Sequence, residues 1–314
     1  MATPLALGMP LRLGMVGASP GNGHPFSFSA IINGYDDAGM AASGWDGIHR
    51  YLARQDRADI GLSDARVTHV WTQDATISKQ IAAAAHVEHI VEELSDLQGA
   101  VDAVIIARDD HATHAQMAMP FLQAGTPVFV DKPLTLDRGE YAAFRPFLQN
   151  GLLMSCSGLR FAREMDGFRG DPDAVGKLVS VQCGVINGWD KYGVHMIDAV
   201  LGAFPQVVPE WVVRHGRTWT VGCADDVTLS ISCLGGDAPY FGLQVLGERG
   251  GEQLRISDNF TAFRRTLQRF VAQVRTGEPA VSLEQAERSL GLLMAGADLE
   301  PGMVTPIPAL SEPT

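Results

Sequence analysis

The sequence predicts an α/β N-terminal domain built on a parallel sheet, followed by an α+β domain whose open sheet is mostly antiparallel. Three observations predict it. In VDAVIIARDDHATHAQMAMPFLQAGTPVFVDKPL, residues 101–134, two apolar runs flank a helical segment. Their continuous hydrophobicity marks parallel strands buried on both faces. A glycine-rich turn, residues 17–23, joins the first apolar run to a helix, the strand–glycine–helix order of a phosphate-binding unit. Beyond Lys177 apolar and polar residues alternate, as in a sheet with one covered face.

Taken in order, residues 11–17 form a first strand and 27–33 a helix. The stretch 34–66 is longer than an ordinary strand-to-strand link and reads as an insertion, with a short helix over 47–54 between loops at Gly44 and Gly61. Residues 67–71 form a second strand, 78–85 a helix, 89–91 a short strand and 92–97 a helical turn. The central strand–helix–strand follows, with Pro120 predicted to kink its helix and Gly125 to close it. Residues 137–149 form a helix and 152–156 a strand. Strands follow at 178–186, 211–215, 227–233, 240–246 and 253–256. Apolar residues at helical spacing (Phe263, Leu267, Phe270, Val271, Val274) place a helix over 260–276, ended by Gly277. A last helix covers 283–297, and the proline-rich tail is loose. The domains are read as 1–135 and 136–314.

Length supports two domains, and the 46% hydrophobic content is that of an ordinary globular protein. A net charge of -12 argues against nucleic acid or anionic membrane as partner, since both require basic patches. No apolar run reaches the roughly 20 residues of a membrane helix. The N-terminus has no basic leader region and is not read as a signal peptide. Four cysteines, Cys156, Cys183, Cys223 and Cys233, lie far apart without a CxxC pair. They fit reduced thiols in a cytoplasmic protein and give no metal signature.

Ligands of such sheets gather at the carboxyl ends of strands, and Lys132 sits at one. Only four of the 24 Lys and Arg residues are lysines. A lysine there suggests chemistry that uses a proton-exchanging amine. The glycines Gly17, Gly21 and Gly23, with Ser19 at the place of a second glycine, form the candidate dinucleotide loop. Thr72 and Asp74 follow the second strand, where an acidic side chain commonly holds a ribose. The loop 108–114 gathers two carboxylates and two imidazoles. Helix capping or cofactor contact by His111 and His114 ranks above metal binding there. In residues 187–198, NGWDKYGVHMID, His195 and Asp198 lie one helical turn apart, so that the carboxylate could fix the imidazole tautomer. Pro133 makes a cis Lys132–Pro133 bond accessible.

The pattern VDAVIIA…H…A…AG.PVFVDKPL resembles the Glu-Lys-Pro segment of the Gfo/Idh/MocA family of NAD(P)-dependent oxidoreductases, with Asp131 where the family carries Glu. The resemblance extends more weakly over nearly the whole chain, including Arg160-Phe161. It implies a Rossmann domain for NAD or NADP, with Asp131 and Pro133 beside the cofactor. It also implies a C-terminal sheet that floors the substrate site and forms a homodimer or homotetramer. The family motif Asp-x-Gly-x-His with a further Asp is matched by Gly193, His195 and Asp198, while Lys191 falls on the first Asp and Asp190 lies beside it. Lys132 and His195 then act on one substrate hydroxyl. His195 takes its proton as general base, and Lys132 stabilises the alkoxide. If Asp190 takes the place of the family's first Asp, the site is nearly unchanged; if not, Lys191 enters the pocket and shifts substrate preference.

Taken literally, Gly17-x-x-x-Gly21-x-Gly23 matches the glycines of short-chain dehydrogenases, but no tyrosine has a lysine four residues on. The leading function is hydride transfer between a nicotinamide cofactor and a sugar, nucleotide-sugar or polyol-like substrate. Two alternatives stay open: a redox-inactive nucleotide- or sugar-binding homologue, and an NAD-using lyase or hydrolase with transient hydride transfer.

Overall fold

Residues 9–310 are described by the structure, a computed structural model. Strand β1 (Leu11–Val16) is followed by α1 (His24–Asn33), α2 (Asp37–Ala42), α3 (Asp46–Ala53), β2 (Ala65–Trp71), α4 (Ala75–Ala85) and β3 (His89–Ile90). Next come β4 (Ala103–Ile106), α5 (His114–Gln123), β5 (Val128–Val130), α6 (Arg138–Gln149) and β6 (Leu153–Met154). The strands align in the order β3-β2-β1-β4-β5-β6, all parallel. Continuous burial of β4 and β5, every residue of which is buried, is the pattern that predicted them. Pro120 lies inside α5, which runs on to Gln123, so the helix does not end at the proline.

The insertion is a buttress. Helix α2 is capped by Asp36, whose side chain accepts from the Gly39 amide, and meets α4 at Gly39. A Cβ there would lie 2.9 Å from the Ala83 carbonyl oxygen. Helix α3 presses Trp45 and Ile48 against Gly23, where a Cβ would come within 2.4 Å of the Ile48 Cδ1. The Tyr51 hydroxyl also bonds Ser27 of α1.

The remaining elements are α7 (Asp166–Gly170), β7 (Leu178–Val185), α8 (Val194–Ala203), β8 (Pro209–His215), β9 (Thr218–Cys223), β10 (Thr228–Cys233), β11 (Phe241–Gly247), β12 (Gly250–Arg255), α9 (Asn259–Thr276), α10 (Leu283–Gly296) and β13 (Val304–Pro306). A second sheet runs β12-β11-β7-β10-β9-β8-β13, with only the β7–β10 pair parallel. The expected mostly antiparallel sheet is therefore present. Two of its strands were not anticipated, β9 and the edge strand β13. The latter pairs with β8 from Val304–Val213 to Pro306–Trp211, so the tail is held that far. Residues 311–314 lie outside the described residues.

Two compact units emerge. One comprises residues 1–134, 142–155 and 263–280, the other 135–141, 156–262 and 281–314. In the first unit, the α9 segment from Phe263 onward brings Phe270 to 5.8 Å from Phe129. The second unit buries Val181, Val185, Leu229, Ile231 and Val245 of its sheet with Met196, Ile197 and Val200 of α8. Each such side chain contributes about 1.5–3 kcal/mol on leaving water. Among the described residues no helix is long and apolar enough to cross a membrane.

Candidate active site

In the first unit the chemistry collects where β1, β4 and β5 end. Gly17 leaves β1 at φ 80°, with its amide donating to the Trp71 carbonyl at 2.8 Å. A Cβ at this position would lie 2.4 Å from the Cδ of Arg108, so only glycine fits. Arg108 lies along the loop and pairs with Asp110, donating from Nε to Oδ1 at 2.8 Å and from its terminal nitrogen to Oδ2. Gln73 clamps Ala18 from both sides, accepting its amide at 3.2 Å and donating to its carbonyl. Ser19, expected at the cofactor, is buried and donates to Asp109 Oδ1 at 2.7 Å. Gly21 has φ 78° and open space on its Cβ side. Gly23 is the N-cap of α1 and has no side chain of its own to engage the helix amides. A glycine turn with open space, running into a helix start of this kind, fits an approaching pyrophosphate.

Asp131 ends β5, fully buried. Its Oδ2 meets His24 Nδ1 at 2.5 Å and accepts from Asn22 Nδ2 at 3.1 Å, while Oδ1 accepts the Lys132 amide at 2.9 Å. Asn22 in turn accepts the His24 amide at 2.8 Å. Burial alone would raise the Asp131 carboxyl, but the charge and hydrogen bond of His24, with Lys132, hold it well below the usual carboxylate range. Asp131 thus braces the glycine loop. His24 stacks on Phe28 at 4.7 Å and meets the edge of Phe263 at 5.0 Å. Lys132 is buried at 4% exposure, and the Lys132–Pro133 bond is cis.

Three expected cofactor contacts have other duties. His114 is fully buried, with Nδ1 3.0 Å from the Leu134 carbonyl oxygen and Nε2 3.0 Å from that of Arg108. Both ring nitrogens face backbone carbonyl oxygens, of which neutral imidazole can donate to one. Thr72 is buried, its hydroxyl donating to the Asp74 carbonyl at 2.6 Å. Asp74 is the N-cap of α4, accepting from the Thr76 amide at 2.7 Å. It is exposed and keeps a second carboxylate oxygen. His111 opens a short 3-10 turn and is partly exposed. Among the described residues no three His, Cys, Asp or Glu side chains could hold a metal ion.

In the second unit, β7 leads through a π-helical turn, Trp189–Gly193, directly into α8. Trp189 anchors the turn, stacking on Trp219 at 4.8 Å and donating to the Leu293 carbonyl at 2.9 Å. Asp190 and Lys191 remain exposed on it. His195, 7% exposed, sits in the first turn of α8 between Tyr192 and Phe241, with ring centroids at 5.2 and 5.8 Å. Its Nδ1 lies 2.6 Å from the Ser157 hydroxyl. The expected His195–Asp198 pair is corrected here. Asp198 accepts from the Ser157 amide at 2.6 Å, from Arg160 at 2.9 Å and from the Ser289 hydroxyl at 2.8 Å. A buried carboxylate surrounded by three donors, one a guanidinium, is drawn to them rather than to imidazole. Arg160 is itself held by Gln285 at 2.8 Å.

Sequence reasoning missed Asn22, His24, Gln73, Arg108, Ser157, Gln285 and Ser289. Only His24 carried a usable signal, as an imidazole immediately after the glycine turn.

The comparisons with known proteins agree with the resemblance. Residues 38–144 match the GFO_IDH_MocA family model, described as an oxidoreductase family with an NAD-binding Rossmann fold. No curated protein matches. Among solved structures, scyllo-inositol dehydrogenase from Lactobacillus casei superposes with a TM-score of 0.73 at 13% identity, covering 95% of this chain and 98% of its own. Myo-inositol 2-dehydrogenase from Lactobacillus plantarum gives 0.71 at 16%, covering 95% and 100%. Myo-inositol dehydrogenase from L. casei, solved with NAD(H) and myo-inositol, gives 0.71 at 14%, covering 98% and 99%. At these identities the likeness establishes the fold.

Proposed function

Starting from an NAD-binding oxidoreductase segment on a Rossmann-type sheet, we propose that this protein is an NAD(P)-dependent dehydrogenase or reductase of a polyol, sugar or nucleotide-sugar. The observation that carries the proposal is Lys132, one of four lysines, buried at the carboxyl end of β5 beside a braced glycine loop. The inositol dehydrogenases of like fold make a cyclic polyol the first substrate class to try. We further propose a cytoplasmic protein that works as a homodimer or homotetramer.

The cofactor, when bound, supplies the hydride acceptor or donor. The turn around Gly21 and Gly23 holds its phosphates, and Asp74 and Thr72 lie at the ribose end. His111 and Pro133 border the same strand ends. Lys132 donates a hydrogen bond to the substrate oxygen and stabilises the charge that develops there. His195 exchanges the proton of that hydroxyl, and Asp198 positions it through Ser157. Lys191, on the π-helical turn, sets preference among substrates.

The test is spectrophotometric. Purified protein with NAD or NADP and a panel of inositols, sugars and nucleotide-sugars should produce reduced cofactor with at least one compound. Calorimetry should show one cofactor bound more tightly than the other. Cofactor binding without turnover on any compound favours the redox-inactive homologue, for which the Arg108–Asp110 pair lying over Gly17 is the supporting observation. Product without net reduced cofactor favours the lyase or hydrolase.

A further inference from the structure

The parallel sheet of the first unit grows in two directions from the β1–β4 pair. Strands β2 and β3 lie on one side, and β5 and β6 on the other. Ligands of such sheets bind in the crevice outside the carboxyl ends of the strands at this switch point. Gly17 follows β1 and Arg108 follows β4, and the two ends are tied where the Ala107 amide donates to the Val16 carbonyl at 2.9 Å. The side chain of Arg108 reaches from the β4 end over the β1 end. Its Cδ and Cγ lie 2.4 and 2.6 Å from where a Gly17 Cβ would stand, and its carbonyl oxygen lies 3.0 Å from His114 Nε2. A guanidinium is thereby placed beside the path of a pyrophosphate.

The glycine turn itself can offer few donors. The Gly17 and Asn22 amides donate to the Trp71 and Ser19 carbonyls at 2.8 and 3.1 Å. Those of Ala18 and His24 donate to Gln73 Oε1 and Asn22 Oδ1 at 3.2 and 2.8 Å. Pro20 and Pro25 carry no N–H. At most Ser19, Gly21 and Gly23 remain for a ligand between residues 17 and 25, and a backbone amide has no net charge. In a chain of net charge -12, a doubly negative pyrophosphate calls for a cation close by. Arg108 supplies it. Of the five N–H donors of a guanidinium, Asp110 takes one from Nε, at 2.8 Å, and one from a terminal nitrogen. Burial alone would raise the Asp110 carboxyl, but the hydrogen bond and charge of Arg108 hold it below its ordinary value. The guanidinium is thus braced along one edge. Its two terminal nitrogens form a second fork, of the shape that matches two phosphate oxygens.

We propose that Arg108 is a phosphate-binding residue whose guanidinium, braced by Asp110, receives the pyrophosphate of a dinucleotide at the β1–β4 crevice. This deepens the dinucleotide-binding part of the reading above and rests on it, and it holds whether or not hydride transfer follows. The work of the turn is then divided. Gly17 makes room for the arginine stem, and the open side of Gly21 admits the ligand. Arg108 supplies by charge what the amides of Gly17 and Ala18, already engaged, do not supply by hydrogen bonding. Asp110 is the positioning residue of the pair.

The test is calorimetry on the full chain with NADH, NADPH and ADP-ribose, each at low and high salt. Arg108→Gln keeps the Cγ and Cδ carbons that lie against Gly17 and removes the charge. It should bind the preferred dinucleotide and ADP-ribose about 10- to 100-fold more weakly, and its affinity should depend less on salt than that of wild type. Arg108→Lys, which keeps the charge without the fork, should recover part of the loss. Unchanged affinity in Arg108→Gln overturns the proposal. Tighter binding also overturns it, since the Arg108–Asp110 pair would then cover the crevice rather than serve it. A loss of affinity with the wild-type salt dependence marks a merely structural role and overturns it as well. Should Arg108→Gln not fold, Arg108→Lys decides: weaker binding supports the fork and equal binding overturns it. Wild type that binds none of the three compounds overturns the dinucleotide reading together with this one, whereas a silent Arg108→Gln beside a binding wild type overturns this one alone.

Discussion

Asp131 is a buried carboxylate surrounded by an imidazole, an amide side chain and a backbone amide. Its carboxyl is depressed in the folded protein, so its stabilising contribution is present above the unfolded value of about 3.9. That contribution fades as pH falls through the folded value. Urea unfolding of wild type and Asp131→Asn should therefore show a clear gap at neutral pH that narrows below about pH 4. A gap that widens toward acid would contradict the His24 pairing. Asp131→Ala, which leaves a buried partner unmatched, should cost about 3–5 kcal/mol. For the chemistry, Lys132→Ala and His195→Ala should each lower kcat by about 10²–10⁴-fold with cofactor affinity kept. Lys191→Ala should alter KM or substrate preference instead. Steady-state kinetics decide, and a silent Lys132→Ala beside a dead Lys191→Ala would mean the wrong lysine has been assigned. Lys132 and His195 were legible because they stand in short motifs. The His24–Asp131 and Ser157–His195 contacts were not, because each joins side chains far apart in the chain and depends on how elements pack.

The glycine loop shows how one element mixes two kinds of glycine. At Gly23 the side chains of Trp45, the N-cap of α3, and Ile48 of α3 occupy the Cβ position, whereas Gly21 faces open space with a positive φ. Gly23→Val should destabilise by about 1–3 kcal/mol through overpacking, seen as a lower Tm. Gly21→Val should chiefly weaken cofactor binding in calorimetry, with a smaller loss of Tm from its backbone conformation. Equal Tm losses with unchanged affinity would remove the loop from the cofactor site. Legibility of strands follows the same logic. β4 and β5 announce themselves because they are apolar throughout. β9 contains Gly222, whose missing side chain is replaced by the Trp211 ring 2.0 Å from the Cβ position, and an interior glycine weakens a strand pattern. β13 is an exposed edge strand ending in Pro306, which local pattern reads as loop.

At the scale of the molecule, the net charge of -12 disfavours nucleic acid or anionic membrane as partners. The second sheet leaves Val179 and Trp211 exposed at 46% and 38%, beside the outward Ser230, Ser232 and Thr220, which are half-buried. Association through this sheet should appear in light scattering as a dimer or tetramer, and a concentration-independent monomer would refute it. The fold class was legible because periodicity changes along the chain, from continuous to alternating. The composition of the two units was less so, since segments 142–155 and 263–280 return to the first unit late in the chain, a matter of tertiary contact rather than local pattern. The Trp189–Trp219 stack, 4.8 Å apart and tilted by 18°, has an optical meaning. Two indoles this close couple their excited states, so the pair should give a far-ultraviolet circular dichroism couplet, from the strong indole band, that vanishes with either ring. Trp189 heads the turn that leads into the His195 helix. The couplet is therefore a built-in gauge, readable without label or substrate, of whether that helix is in place.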